Sequence, residues 1–470
     1  MSDCDEPSVF MKLRMQLRRE LALLVAIAIP AIAACTGTTR PASSLNDEPL
    51  ATGVALAAFD TLWTKVSNTY VDTAFVSREW IQVRDSLRPR AAAITGRREL
   101  DRLFAKTLGH IPDSHFYIIP ARVATVDSTS NKSDGRGTTG LAIRMAGDQA
   151  IVWRVDAGGP AARAGVTPGQ VVLKVAGREA ETSIRKVKAM PDKAQPRAMS
   201  EMLHGFNGAL SPSVGDTVSL VLGSKSSPTL RSLVATPSEG RLSKFGNLPP
   251  IAGLVHVARL PSVSGSGCVG VIAFNIWLPD LGRDLERAVD SVSACTGVVI
   301  DLRGNPGGVG AMVMGFGGYF VDSAVSLGTM RTRQVTLKFA INPRRSRDDG
   351  SQRTPYTGPL AILVDPMTAS TSEIFATGMQ IIGRARVFGE RSAGAALPAL
   401  MERLPSGDVF VHAVADFTDP TGNRVEGAGV VPDEIVGLST QALRDGRDTA
   451  LEAAMRWINT HSAARPGTTR

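Results

Sequence analysis

The turn Thr368-Ala369-Ser370-Thr371-Ser372-Glu373 follows an apolar run, Leu360 to Val364, and opens a stretch of helical character. A serine at such a junction has the surroundings a nucleophile needs. The helix start offers unsatisfied backbone N–H groups and the positive end of a dipole, which stabilise an oxyanion. Upstream, Val298-Val299-Ile300-Asp301-Leu302-Arg303-Gly304-Asn305-Pro306-Gly307-Gly308 repeats the order of apolar strand, glycine turn and helix. Two such turns on neighbouring strands would supply nucleophile and oxyanion hole together. Taken alone, Ser370 is equally a preferred helix N-cap. The glycine run also has the outline of an anion cradle, but Gly308-Val309-Gly310 lacks both the third glycine of a dinucleotide fingerprint and the lysine of a P-loop.

The Asp-Leu-Arg-Gly-Asn-Pro-Gly-Gly segment ending at Gly308, the segment Ala369-Ser370-Thr371-Ser372-Glu373-Ile374-Phe375-Ala376, and Gly389-Glu390-Arg391-Ser392-Ala393-Gly394 form a set. Together with Gly427-Ala428-Gly429-Val430-Val431-Pro432-Asp433 it resembles the C-terminal processing (tail-specific) serine peptidases, from residue 52 to about residue 460. One branch of that family uses a Ser/Lys dyad, with lysine after the glycine of Gly-Glu-x-Thr-x-Gly-Lys. That position is Ala395 here, and no lysine follows Lys338. The other branch, which includes the tricorn core protease, uses a Ser-His pair far upstream and a late glutamate. Asp113-Ser114-His115 and Asn423-Arg424-Val425-Glu426-Gly427 look like those two segments. The resemblance thus implies a tetrad of Ser114, His115, Ser370 and Glu426, with an oxyanion hole at the N–H groups of Gly307 and Thr371 and no cofactor or metal.

Chemistry asks for the same residue types. A serine hydroxyl needs a base within hydrogen-bond reach, and an imidazole with an ordinary pKa of about 6.5 suits that role. His115 would take the proton from Ser370, and Ser114 would relay orientation from the Glu426 carboxylate. His412 competes as a base, but it lies in the alternation Val409-Phe410-Val411-His412-Ala413-Val414, which fits one face of a sheet. Glu426, beside Arg424 and a glycine-rich turn, also reads as a solvated surface charge. Asp301 and Arg303 read either as a surface ion pair or, from the family context, as a support or substrate anchor.

The resemblance implies an α/β, multidomain chain. It comprises an N-terminal helical domain over 51–122, a PDZ-like β-rich domain over 123–240, an α/β (crotonase-like/ClpP-like) catalytic core over 241–440, and a C-terminal helix and tail over 441–470. The residues agree: helical periodicity runs from Val54 to Leu108 and from Leu443 to Asn459, and apolar strands alternate with helical stretches across the core. The segments Gly140-Leu141-Ala142-Ile143, Val155 to Val166 and Pro168-Gly169-Gln170-Val171 resemble a PDZ domain of bacterial proteases. Residues 140–143 would then hold a peptide C-terminal carboxylate, with the peptide added as a strand. Residues 184–209 read as a helical insertion, and Arg331 to Tyr356 as a charged excursion from the core.

Residues 1–35 read as an export signal, with Lys12, Arg14, Arg18 and Arg19 before an apolar run, Leu21 to Ile29, too short to span a bilayer. Its end, Ile32-Ala33-Ala34-Cys35, resembles a lipobox in which Cys35 is lipidated; a plain signal peptide is the alternative. Residues 36–50, rich in Thr, Ser and Pro, then form a flexible tether. These features predict a bacterial envelope protein, periplasmic and lipid-anchored. In a parallel crossover Cys268 and Cys295 would lie at adjacent strand starts, where they form either a disulfide or two buried thiols.

At 470 residues, 43% hydrophobic and 20% charged, the chain has ample core for several domains. The net charge of +8 is spread along the chain without a basic, aromatic-interleaved patch, which argues against nucleic acid. The expected partners are peptides or proteins recognised at a C-terminus and a membrane; an oligomer stays open. Three functions therefore compete: a serine endopeptidase, a catalytically inactive peptide- or hydrophobe-binding protein on the same fold, and a PDZ adaptor. Retention of all four tetrad residues favours the first.

Overall fold

Apolar residues spaced at one face of a helix build the first layer. Helix α1 (Val54–Thr69) buries Ala55, Ala58, Phe59, Leu62 and Val66. Helices α2 (Thr73–Ser77), α3 (Glu79–Ala93) and α4 (Arg97–Leu108) add Phe75, Trp80, Val83, Leu87, Leu100 and Phe104 to the same cluster. The Asp72 side chain caps α2 by accepting from Phe75 N–H. Leu404 and Phe410, from far downstream, complete this cluster, so the helical layer closes onto the rest of the chain. In the computed structural model the described residues are 48–121, 137–243, 250–262, 267–347 and 349–462. Cys35 and most of the expected tether lie outside them.

Strand β1 (Tyr117–Ile119) follows the Ser114-His115 turn. A second cluster is built by β2 (Leu141–Ala146), β3 (Gln149–Val155), β4 (Val172–Val175), α5 (Ala180–Lys188), α6 (Gln195–Ala209), β5 (Thr217–Ser224) and β6 (Ser227–Val234). β2 pairs with β3 and β5 with β4 and β6, all antiparallel. The helical insertion expected over 184–209 takes the form of two helices, α5 and α6. Met367, from the turn that precedes Ser370, packs into this cluster.

The central sheet has the order β7 (Val255–Pro261), β8 (Cys268–Phe274), β9 (Gly297–Asp301), β10 (Leu360–Val364), β11 (Arg386–Gly389) and β14 (Glu434–Ile435). β7 is antiparallel and the rest are parallel. The continuous apolar runs of β9 and β10 suit strands covered on both faces. Helix α7 (Gly282–Val292) makes the crossover from β8 to β9, and helix α9 (Thr449–Ser462) covers the sheet with Ala453, Ala454 and Ile458. β9 and β10 pair in register, Val298 opposite Leu360, so the turns after them lie side by side as their sequences suggested. Helix α8 (Thr371–Ile381) begins at the second turn. Strands β12 (Ala399–Arg403) and β13 (Val409–Ala413) join β1 in a three-stranded antiparallel sheet, Tyr117 opposite Val411, which carries the end of the N-terminal layer to the core.

Two sequence expectations change in detail. The closing helix is split into Thr440–Arg444 and Thr449–Ser462: Gly446, at φ 72, ends the first piece, and Asp448 before the second accepts from Arg303. The excursion after Arg331 contains a strand, Thr336–Ile341, paired with Val325–Arg331.

Cys268 and Cys295 form a disulfide, their Cα atoms 4.8 Å apart. Val269 and Gly297 are paired across β8 and β9, and that register puts the two cysteines at neighbouring strand starts. The bridge closes a loop with a sequence separation of 27. Cys295→Ser is therefore expected to lower unfolding free energy by about 3 kcal/mol, read as a lower denaturant midpoint that wild type shares only under reductant.

Candidate active site

Ser370 is the N-cap of α8 and also sits on a sharp elbow, with φ 57 and ψ −122. Only three non-glycine residues have positive φ among the described residues, and two of them are Ser370 and His115. Strain of this kind, about 1–3 kcal/mol per residue, survives only where the surroundings enforce it. At Ser370 the enforcement is visible. Its N–H donates to Ala395 C=O at 2.8 Å and to Glu373 Oε2 at 3.0 Å. Glu373 N–H is taken by the Ser370 carbonyl at 2.8 Å, so the outline of a capping box is present while Ser370 Oγ makes no hydrogen bond of good geometry within the chain. The N-cap and nucleophile readings thus describe one residue, whose backbone caps and whose hydroxyl is left over.

Glu373 was legible only as part of the motif. It is fully buried, and its carboxylate also accepts from Ser392 Oγ, Gly394 N–H at 2.7 Å and Ala395 N–H at 2.9 Å. Burial pushes its carboxyl up, against these four donors. The Ser-x-x-Glu spacing is the signal that marks it.

The structure brings Ser114, His115 and Glu426 together, all buried. Ser114 N–H donates to Glu426 Oε1 at 2.7 Å, and Ser114 Oγ to Oε2 at 2.9 Å. Ser114 Oγ also meets His115 Nδ1 at 2.6 Å. Ser114 has one hydroxyl proton. When the ionised carboxylate takes it, Ser114 Oγ must accept from Nδ1–H, and neutral His115 carries its lone pair on Nε2. The expectation of a solvated Glu426 is thereby set aside. Its Oε2 also accepts Ala396 N–H at 2.8 Å, so the single peptide joining Ala395 to Ala396 ties Glu426 at one end and Ser370 at the other. Burial raises the Glu426 carboxyl from its ordinary 4.5 to about 7, partly offset by the Ser114 and Ala396 amides.

The two turns are locked by Thr371 Oγ1 donating to Gly308 C=O at 2.9 Å and Ala369 N–H donating to Asn305 C=O at 3.1 Å. Gly307, at φ 102, lies against the elbow: a Cβ there would fall 2.6 Å from Ser370 Cβ and 3.0 Å from Thr371 N. The expectation that Gly307 donates to an oxyanion needs correction, because its N–H already donates to Asn305 Oδ1 at 3.0 Å. The amides of Gly308 and Thr371 donate no hydrogen bond among the described residues. Gly307 is a clearance rather than a donor. Gly307→Ala must push the elbow aside and is expected to slow acyl-enzyme formation by on the order of 100-fold through misplacement of Ser370, with some loss of stability read from a thermal melt.

Arg303 and His412 are engaged in contacts away from Ser370. Arg303 is a buried structural residue whose guanidinium is spent on Asp301 and Asp448. His412 is buried on β13 with Nε2 at 2.8 Å from Glu402 and Nδ1 at 3.2 Å from Thr69 Oγ1, an interlayer contact. Of Gly140, Leu141, Ala142 and Ile143, the last three lie in β2 rather than in an open loop. Gly140 N–H donates to Thr138 Oγ1 at 2.9 Å. Ile143 N–H donates to Asn207 Oδ1 at 2.9 Å, and Ile143 C=O accepts from Asn207 Nδ2 at 3.0 Å. The amide of Asn207 thus holds the edge that an added strand would use. A cleft of about 780 Å3 is lined by Leu141, His204 and Asn207 from this side and by Gly304, Pro306 and Met367 from the turns after β9 and β10.

Residues 266–436 match the sequence model of peptidase family S41, a span that contains Ser370 and Glu426. The chain is 24% identical over 442 residues to a chloroplastic carboxyl-terminal-processing peptidase 2 of Arabidopsis thaliana, covering 90% of this chain and 77% of that one. It is 24% identical over 380 residues to a carboxyl-terminal-processing protease of Picosynechococcus sp., covering 80% of this chain and 81% of that one. Among solved structures, a photosystem II D1 C-terminal processing protease superposes with TM-score 0.54 at 21% identity, over 87% of this chain and 98% of that one. Mature CPAF does so with TM-score 0.57 at 12% identity, over 87% and 97%. These two share the fold of the mixed α/β sheet core. Residues 266–436 thus match peptidase family S41, and along most of its length the chain is similar to carboxyl-terminal-processing peptidases, which supports a serine peptidase.

Proposed function

We propose that this serine peptidase works through Ser370 as nucleophile and His115 as base, oriented by Ser114 and Glu426, in the manner of the tricorn-like branch. Ser370 Oγ bonds to the scissile carbonyl carbon while its proton passes to His115 Nε2. The C–N bond then breaks as that proton is delivered to the leaving amine, and water hydrolyses the acyl-enzyme by the same exchange in reverse. Gly308 and Thr371 N–H hold the oxyanion. The observation that carries this reading is the Glu426–Ser114–His115 chain of hydrogen bonds, anchored through one peptide to the backbone of a strained Ser370 whose hydroxyl is unspent. Ala395 at the lysine position of the other branch removes the rival base.

The substrates in this reading are exported proteins or peptides, engaged by their C-termini in the cleft beside β2. A PDZ-like role for residues 137–240 requires an incoming strand to displace Asn207 from Ile143. The disulfide favours an oxidising compartment, in keeping with export and anchoring through Cys35. No described helix is long and apolar enough to cross a membrane.

A fluorophosphonate probe tests the mechanism on the purified chain. Labelling of wild type that is lost in Ser370→Ala and His115→Ala is the expected result; a folded wild type that takes no label, with or without peptide, turns the reading to a binding protein.

A further inference from the structure

The tetrad is drawn from three segments far apart in the chain, and two of them, the Ser114-His115 turn and the Glu426 segment, are joined by the Ser114–Glu426 hydrogen bonds. An ion pair beside the tetrad joins the same two segments again. Arg424 Nη1 donates to Asp113 Oδ1 at 3.1 Å and Nη2 to Asp113 Oδ2 at 2.6 Å, a bidentate pair. Asp113 immediately precedes Ser114, and Arg424 stands two residues before Glu426. Each partner is held in turn. Tyr70 O–H donates to Asp113 Oδ2 at 2.8 Å, and Arg424 Nε donates to Asp416 Oδ1 at 2.8 Å. Burial first, then the Asp113 carboxylate, pushes the Tyr70 phenol well above its usual range, so it remains a donor. The Asp113 and Asp416 side chains are 13% and 15% exposed, whereas Arg424 is 40% exposed, so two buried carboxylates hold a guanidinium that stays open to solvent on its other side.

We propose that Arg424 and Asp113 are positioning residues that clamp the Ser114-His115 turn to the Glu426 segment and balance charge beside the Glu426 carboxyl. The proposal rests on the tetrad reading. The charged groups around Glu426 are Asp113 and, when protonated, His115 from the 113–115 turn, with Arg424 paired to Asp113 and Asp416 behind Arg424. Two more act through backbone. Arg391 donates to the carbonyls of Gly427 and Ala428, and Glu373 is bonded to the Ala395 amide next to Ala396. Asp113 raises the Glu426 carboxyl, and the Arg424 guanidinium stands on Asp113. Removing Arg424 uncovers the Asp113 charge, whereas neutralising Asp113 withdraws it. The two changes therefore push the ionisation of Glu426 in opposite directions, which a purely structural pair would not do.

The test is the pH profile of kcat/KM and of fluorophosphonate labelling for Arg424→Gln, Asp113→Asn, the double variant and Arg424→Lys, with thermal melts to confirm folding. Arg424→Gln is expected to move the acidic limb up by roughly 0.5 pH or more, and Asp113→Asn to move it down. The double variant should bring the limb back toward wild type while the rate stays at least about 10-fold low, because the clamp is gone. Arg424→Lys keeps the charge but loses the bidentate grip, so the limb holds while the rate falls. KM should change little throughout. Wild-type rate and limb in Arg424→Gln, or limbs that move the same way in both single variants, overturn the clamp. Ser370→Ala and Glu426→Gln, run alongside, separate this from failure of the tetrad: if either keeps wild-type activity, the underlying reading fails instead.

Discussion

Ser370→Ala is expected to abolish acyl-enzyme trapping and to lower peptide hydrolysis by about 10,000-fold or more, with His115→Ala close behind and the double variant no worse than Ser370→Ala. Groups that act as one unit lose their effect together, and the residual rate is that of the oxyanion donors and binding alone. Stability supplies an independent arm. Ser370 occupies φ 57 and ψ −122, a conformation that alanine shares at the same cost and glycine adopts freely. Ser370→Gly should therefore be equally inactive yet more stable than Ser370→Ala by about 1 kcal/mol, measured from denaturant midpoints. An ordinary helix cap also prefers Gly to Ala, so the stability difference reports on the backbone of the elbow while activity decides the role of the hydroxyl: activity intact in both variants would leave Ser370 a cap only.

Activity and stability are expected to respond to pH in opposite senses through Glu426. Its carboxyl is raised from the ordinary 4.5 to about 7 by burial. Between those values the folded chain holds a proton that the unfolded chain has released, so stability falls as pH rises through that window and is flat above it. The full effect of this one group is on the order of 3 kcal/mol. Glu390, raised by burial and by Asp365 to about 7, adds to the same slope. Activity needs the ionised form. A protonated Glu426 would donate to Ser114, Ser114 would then donate to His115 Nδ1, and the imidazole proton would sit on Nε2, the atom that must act as base. The acidic limb of kcat/KM is accordingly expected near pH 7, while the melting temperature declines from pH 5 to pH 7.5. Glu426→Gln has one acceptor oxygen for three donors, so it should cost about 1,000-fold in rate and flatten part of the melting slope. A profile whose limb is unmoved in Glu426→Gln would remove the relay from the mechanism.

The helices of the N-terminal layer, the strands β9 and β10 and the helix start at Ser370 were legible in the sequence. Each depends on neighbours in the chain: apolar residues at helical spacing, unbroken apolar runs, and a small hydroxyl turn before a helix. Ser114, His115 and Glu426 were legible through a resemblance carried by local motifs. What the sequence alone left open were choices among partners. Cys268 and Cys295 had a disulfide and two thiols available to them, and the register of β8 on β9 chose the disulfide. Gly307 N–H donates to the Asn305 side chain two residues earlier, a choice the glycine turn leaves open. Ile143 N–H and C=O are both held by the Asn207 side chain on a packed helix, a pairing that no local pattern announces. Asp113 and Arg424 stand 311 positions apart, and only the pairing of β1 with β13 and the fold of the core around it bring them together. Local conformation follows from short-range sterics and the burial pattern, which the chain carries residue by residue. A hydrogen bond or ion pair between distant residues is decided by tenths of an ångström in packing, and those exist only once the whole chain is folded.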